Sequence, residues 1–129
     1  MEKTSLTFET TDGLEIYATC WMKNDQENPK GIVHIAHGMA EHIDRYDRFA
    51  QKLVEENFIV VGNDHRGHGR TGARANQLGY FADSNGFEKV VGDMYALTKM
   101  MKVQHPNIPI ILFGHSMGSF LARRYVQKY

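Results

Sequence analysis

Ile108 to Arg123 reads IPIILFGHSMGSFLAR. A short apolar run, Ile110-Ile111-Leu112-Phe113, stops at Gly114-His115-Ser116-Met117-Gly118, and a helical pattern starts at once after it. Strand, G-x-S-x-G and helix, in that order, is the context in which a serine is held out on a tight turn as a nucleophile. A serine hydroxyl is weak at its own pKa, so it needs a base and a fixed position. The turn supplies the position. It lifts Ser116 off the carboxyl end of the strand and aims a helix N-terminus at the place where an oxyanion would form. Gly114 and Gly118 let strand and helix pass closely, which a Cβ would block.

Two more buried strands lie upstream. Phe58-Ile59-Val60-Val61 runs into Asn63-Asp64-His65, and Ile32-Val33-His34-Ile35-Ala36 runs into His37-Gly38. Between them Tyr46, Phe49, Ala50, Leu53 and Val54 fall at i, i+3, i+4, i+7 and i+8, one apolar face of a helix. Asp44 is placed to cap it and Asn57 to stop it. Phe87, Val90, Val91, Met94, Leu97 and Met101 form a second stripe, with Asn85 and Glu88 spaced as a capping box. Met117, Phe120, Leu121 and Tyr125 begin a third. At the start of the chain, Leu6 to Glu9 and Leu14 to Ala18 alternate around Asp12-Gly13, a hairpin signal.

This order predicts an α/β fold: a mostly parallel sheet with an N-terminal antiparallel hairpin and helices on both faces. Ligands in such sheets bind outside the carboxyl ends of the strands. His37-Gly38, Asp64-His65 and Ser116 all fall there, so three polar clusters converge on one rim.

Composition narrows the function classes. The 129 residues suit one domain, and 42% hydrophobic with 23% charged residues suits a globular one. Fifteen basic residues balance fifteen acidic ones, so no electrostatic surface for nucleic acid is expected. MEKTSLTFETTDG has no apolar core of a secretory signal, and no apolar run is long enough to span a bilayer. Cys20 is the single cysteine, which fits a reducing cytoplasm.

Three motifs carry a family resemblance: His37-Gly38-Met39-Ala40-Glu41-His42, Asn63-Asp64-His65-Arg66-Gly67-His68-Gly69, and Gly114-His115-Ser116-Met117-Gly118. In order and spacing the chain resembles the α/β-hydrolase superfamily, specifically its monoacylglycerol lipase and lysophospholipase group. The resemblance implies that Ser116 is the nucleophile. It implies that the backbone N–H groups of Met39 and Met117 form the oxyanion hole, with His37, Gly38, Gly114, His115 and Gly118 as supporting positions. It also implies a small acyl ester or lipid as substrate, with no cofactor and no metal. In this superfamily the triad runs Ser, then Asp or Glu, then His. Met117 to Tyr129 contains none of these acids and no histidine. Residues 1–129 are therefore expected to be the N-terminal portion of one hydrolase domain, ending after the elbow helix. The triad acid and base and the rest of the sheet are expected beyond Tyr129.

Other signals are weaker. Gly67-His68-Gly69-Arg70-Thr71-Gly72 fits G-x-G-x-x-G, but Asp64-His65-Arg66 separates it from its strand and polar residues follow it. A rigid loop is expected there, with Asp64 and Arg66 in structural roles, rather than a dinucleotide site. The seven histidines include no cysteine-flanked set that suits zinc. His115 is expected to be a hydrogen-bonded neighbour, since adjacent side chains point apart. Glu41, His42 and Arg45 are expected to be solvated or to line a pocket. A non-catalytic binding module with a relic elbow stays open as a reading, as does a peptidase or thioesterase on the same scaffold. A sheet that stops at the strand before Ser116 leaves an open apolar edge. Residues 1–129 by themselves are expected to self-associate, which sedimentation velocity would show as species heavier than the monomer.

Overall fold

The alternating first segment folds as a hairpin. In the computed structural model, which describes residues 1–129, β1 (Glu2–Glu9) pairs antiparallel with β2 (Glu15–Met22) from Glu2↔Met22 to Glu9↔Glu15. Gly13 takes φ +84° at the turn, and its amide donates to the Thr10 carbonyl at 3.0 Å. The two apolar runs become β3 (Ile32–Ala36) and β4 (Ile59–Asn63), buried at every residue. Continuous apolar strands of this kind belong inside a parallel sheet covered on both faces. With β5 (Ile110–Gly114) the order is β1-β2-β4-β3-β5. The strands β3, β4 and β5 run parallel, and β2 is antiparallel to β4.

The two-residue period of the strands sorts side chains between two layers. Trp21, Val33, Ile35 and Val60 face Ala50 and Val54 of α1 (Asp47–Glu55). Ala18, Cys20, Ile32, Ile59 and Val61 face Leu97 and Met101 of α3 (Gly86–Gln104). Nearer the start of α3, Val90, Val91 and Met94 pack on Leu121 and Tyr125 of α4 (Met117–Lys128). No helix is long and apolar enough to cross a membrane.

Four local expectations need correction. Asp44 does not cap α1. It sits inside a short 3₁₀ turn, Ile43–Tyr46, where its carboxylate accepts the Thr19 hydroxyl at 3.2 Å. Asn85 and Glu88 do not form a capping box, because Asn85 is left-handed (φ 52°) and makes no cap bond. Glu88 instead reaches Arg124 on α4 at 2.7 Å. Phe120 is 63% exposed, and Gly118, Leu121 and Tyr125 form the packed stripe of α4. The glycine-rich segment is not all loop, since a short α2 (Gly69–Arg74) starts within it. By contrast Asn57 does stop α1, with φ 69° and its amide bonded to the Val54 carbonyl.

The glycines of that segment make room for protein atoms. A Cβ on Gly69 would lie 2.5 Å from the Asp64 carboxyl carbon, and one on Gly67 would lie 2.6 Å from the Tyr80 amide nitrogen. Asp64 already spends its carboxylate on the amides of Ile43 (2.8 Å) and Arg70 (3.1 Å). Beside it Arg66, 3% exposed, reaches Asp12 in the hairpin turn at 2.6 Å and Asp93 on α3 at 2.6 Å. Both contacts are two-point, with second bonds of 2.8 and 3.0 Å. Arg66 holds the Asp12 carboxyl well below the usual carboxylate range, while burial pushes Asp93 up against the pull of the same guanidinium. Removing one partner of a buried ion pair strands the other. Arg66→Met is expected to cost about 3–5 kcal/mol of stability. A denaturant midpoint unchanged from the parent would show that Asp93 does not need its partner.

Candidate functional site

The elbow is built by close approach. A Cβ on Gly118 would fall inside the carbonyl oxygen of Ala36, and one on Gly114 inside that of Gly118. With both bare, α4 packs directly against the ends of β3 and β5, and the His115 amide donates to the Ala36 carbonyl at 3.2 Å. Ser116 pays for the turn with φ 56° and ψ −120°, a conformation costing roughly 1–3 kcal/mol in a non-glycine residue. A serine before a helix ordinarily caps it. Ser116 makes no side-chain cap bond, and it lies exposed at the rim. Its hydroxyl is left for something else.

The loop after β3 lies against the elbow. A Cβ on Gly38 would sit 3.2 Å from Ser116 Cβ and 3.2 Å from the His115 carbonyl. Met39 follows Gly38 on the loop and its amide donates no hydrogen bond, and Met117, following Ser116, is the first residue of α4, where an amide has no partner within the helix. The Gly38 amide is spent, donating to Glu41 Oε2 at 2.6 Å. The same oxygen accepts the Tyr46 hydroxyl at 3.1 Å and faces His115 Nδ1 at 3.3 Å. Burial alone would raise the Glu41 carboxyl; the Gly38 amide, His115 and Tyr46 outweigh it and hold it below its ordinary value. Tyr46 is correspondingly pushed up to about 12 by burial and by Glu41. His115 thus turns Nδ1 to Glu41, the hydrogen-bonded neighbour that adjacency implied.

Beneath the rim three histidine rings pack together, His37 4.0 Å from His65 and 5.2 Å from His68 between centroids. Their hydrogen bonds assign the tautomers. His37 Nε2 accepts the His65 amide (3.0 Å), so His37 Nδ1 carries the proton and donates to the Gly38 carbonyl at 2.7 Å. His65 Nε2 donates to the His37 carbonyl at 3.1 Å, which leaves His65 Nδ1 buried without a partner. The ends of β3 and β4 are thereby laced together by side chains where the backbone ladder stops. A proton on His37 Nε2 would set donor against donor, and burial pushes this ring down to about 4. His34, wholly buried, donates from Nδ1 to Thr98 Oγ1 at 3.0 Å and is also pushed down to about 4.

The structure therefore brings His37, Gly38, Met39, Gly114, His115, Ser116, Met117 and Gly118 to one rim. Two features escaped sequence reading. Glu41 as a shared acceptor had one available signal, its position three residues after Gly38. The histidine cluster had another, since parallel pairing of β3 with β4 carries residues 37 and 65 to neighbouring strand ends.

The serine aminopeptidase S33 family model matches residues 27–129. A monoacylglycerol lipase of Mycolicibacterium smegmatis is 34% identical over 122 residues, covering 95% of this chain and 41% of its own length. A thermostable carboxyl esterase from Bacillus coagulans superposes with a TM-score of 0.87 at 35% identity, covering 97% of this chain and 40% of the esterase. A lipase in its open form gives a TM-score of 0.86 at 31% identity, with 96% and 39% covered. The chain thus spans about two fifths of the length of these relatives.

The buried histidines make stability depend on pH. In the unfolded chain each protonates near the ordinary 6.5, whereas His34 and His37 stay neutral in the fold down to about 4 and His65 well below its ordinary value. The unfolded state then binds more protons, so stability is intact above 6.5 and falls as pH drops toward 4. The slope is at most about 1.4 kcal/mol per pH unit for each ring. His34→Gln is expected to flatten the fall in denaturant midpoint between those limits by the share of one ring. An identical slope in the variant would assign the dependence elsewhere.

Proposed function

The chain belongs to the serine aminopeptidase S33 family of α/β-hydrolases, and from that premise we propose that it is the nucleophile-bearing N-terminal portion of a lipase- or esterase-type serine hydrolase. One observation carries the reading. An exposed serine, strained and withheld from its helix cap, stands beside a loop and a helix start whose amides are unspent.

In this reading Ser116 Oγ attacks the acyl carbonyl. The oxygen that gains charge is met by the N–H groups of Met39 and Met117, which are fixed before the reaction and need no reorganisation. Collapse expels the alcohol and leaves an acyl group on Ser116, and water then releases it. Residues 117–129 contain no Asp, Glu or His to supply the acid and base that follow the serine in this superfamily. In the proposed reading those two residues, and the strands that would cover β5, belong to the remainder of the hydrolase domain. The relatives' lengths support this, since each extends well beyond the matched portion. Monoacylglycerols or lysophospholipids are the proposed substrates. Support comes from the three sequence motifs and from the mycobacterial relative that bears the monoacylglycerol lipase name.

In the full-length protein a fluorophosphonate probe is expected to label Ser116. Ser116→Ala is expected to abolish labelling and to cut kcat on a monoacylglycerol by roughly 10⁶, as loss of a serine nucleophile does elsewhere. Equal labelling of the variant overturns the reading. Turnover of peptide amides with no turnover of esters moves the protein to peptidase chemistry on the same scaffold.

A further inference from the structure

We propose that Glu41 is a positioning residue for the oxyanion-holding loop. Its carboxylate ties that loop to the nucleophile elbow and so sets, together with the His37 bond to the Gly38 carbonyl, where the Met39 amide points. The proposal rests on the hydrolase reading above and assigns Glu41 no contact with the reacting atoms.

Three segments meet at one oxygen. Glu41 Oε2 takes the Gly38 amide from the loop at 2.6 Å, the Tyr46 hydroxyl from the 3₁₀ turn at 3.1 Å, and His115 Nδ1 from the elbow at 3.3 Å. The Glu41 side chain is 14% exposed and its bonds to Gly38 and Tyr46 are half-buried, where charge-assisted hydrogen bonds are strong, while the His115 side chain is 62% exposed. The loop needs such a tie. Between Gly38 and Glu41, Ala40 takes φ 60°, a left-handed conformation that costs a non-glycine residue free energy. Met39 and Ala40 are both exposed and nothing packs over them. Without the Glu41 tie, the Gly38 carbonyl stays held by His37 Nδ1 while the Met39–Ala40 side of this strained tip is free to relax.

The choice of which amide is held also matters. The Gly38 N–H lies in the peptide joining His37 to Gly38, which Glu41 holds; the next peptide, which carries the Met39 N–H, has its Gly38 carbonyl held by His37 Nδ1 at 2.7 Å. Glu41 consumes the donor at Gly38 and leaves the one at Met39 free. The second partner, His115, immediately precedes Ser116, so the same carboxylate references the loop to the elbow rather than to the bulk of the sheet. The start of α4, with the Met117 amide, is set by its glycine packing on β3, and Glu41 references the Met39 side of the site to it. An uncharged amide oxygen in the place of Oε2 accepts from the same three donors, whereas a carboxylate one methylene shorter does not reach Gly38.

The test is a comparison of Glu41→Ala, Glu41→Asp and Glu41→Gln in the full-length protein, on a short-chain nitrophenyl ester. Glu41→Ala is expected to lose roughly 10²-fold in kcat, the scale of one oxyanion donor, with KM within about threefold of the parent. A trifluoromethyl ketone, which adds to Ser116 as a tetrahedral oxyanion, is expected to bind weaker by the same factor. Glu41→Gln is expected to keep kcat within about fivefold of the parent, and Glu41→Asp to behave like Ala. Should Glu41→Ala not fold, Glu41→Asp decides by the same readouts. Parent-like kcat in both Ala and Asp variants overturns the proposal. So does a loss confined to KM, which would make Glu41 a substrate contact, and so does a kcat loss without weaker ketone binding. Ser116→Ala separates this from the parent reading: full activity in that variant sinks the hydrolase assignment itself, whereas activity lost there and intact in Glu41→Ala sinks only the role of Glu41.

Discussion

The structure depends on one packing constraint, the contact of α4 with the ends of β3 and β5. Carbonyl oxygens of Ala36 and Gly118 occupy the places where Cβ atoms of Gly118 and Gly114 would be. Everything at the rim follows from that contact. It turns the chain so sharply that Ser116 enters a conformation few side chains tolerate. It also puts the start of α4 beside the loop that leaves β3, since β3 and β5 pair in parallel from Ile32↔Ile110 to Ala36↔Gly114. Two separate strands thereby deliver their carboxyl ends to one point, and the chemistry proposed for this rim needs contributions from both.

Under the rim the order is polar rather than apolar. Asp64, His65, Arg66 and His68 are all buried, each with main-chain or ionic partners. Such partners remove most of the cost of burying polar groups and fix direction as well as distance. Apolar layers hold the sheet to its helices, while this polar layer sets the angles of the loops. His37 shows the division. Its ring has no apolar layer to join, and its two nitrogens tie together His65 and Gly38 at the ends of neighbouring strands.

Much of this was legible in the residues. The apolar runs of β3 and β4, the alternation of the hairpin and the stripe of α3 each obey a short local period, and the structure follows them, except that Phe87 at the start of α3 stands exposed. Misreadings arose where a distant partner outbid a local one. Asp44 spacing suits a cap, but Thr19 from β2 lies within reach. Glu88 spacing suits a capping box, but Arg124 on α4 claims it. Phe120 fits the helical period, yet α4 packs through Gly118, whose lack of a side chain is what permits contact. The glycine pattern of residues 67–72 is real, but its bare positions accommodate Asp64 and Tyr80. At the rim, Ser116 and its flanking glycines stood out from sequence. Glu41 did not, because its meaning depends on where His115 arrives from a strand more than sixty residues away.

The sheet order has a consequence for how the molecule is made. Strands leave the ribosome as β1 to β5, but β3 takes its place between β4 and β5. The middle of the sheet therefore waits. Its first flank closes when Ile59 to Asn63 emerges, and its second stays open until Ile110 to Gly114 follows. Over that interval Ile32 to Ala36, apolar but for His34, is a bare parallel edge, and long-range pairing of this kind is slow to form. The nascent chain most exposed to misassembly is thus the one that has finished α3 and has not yet produced the serine.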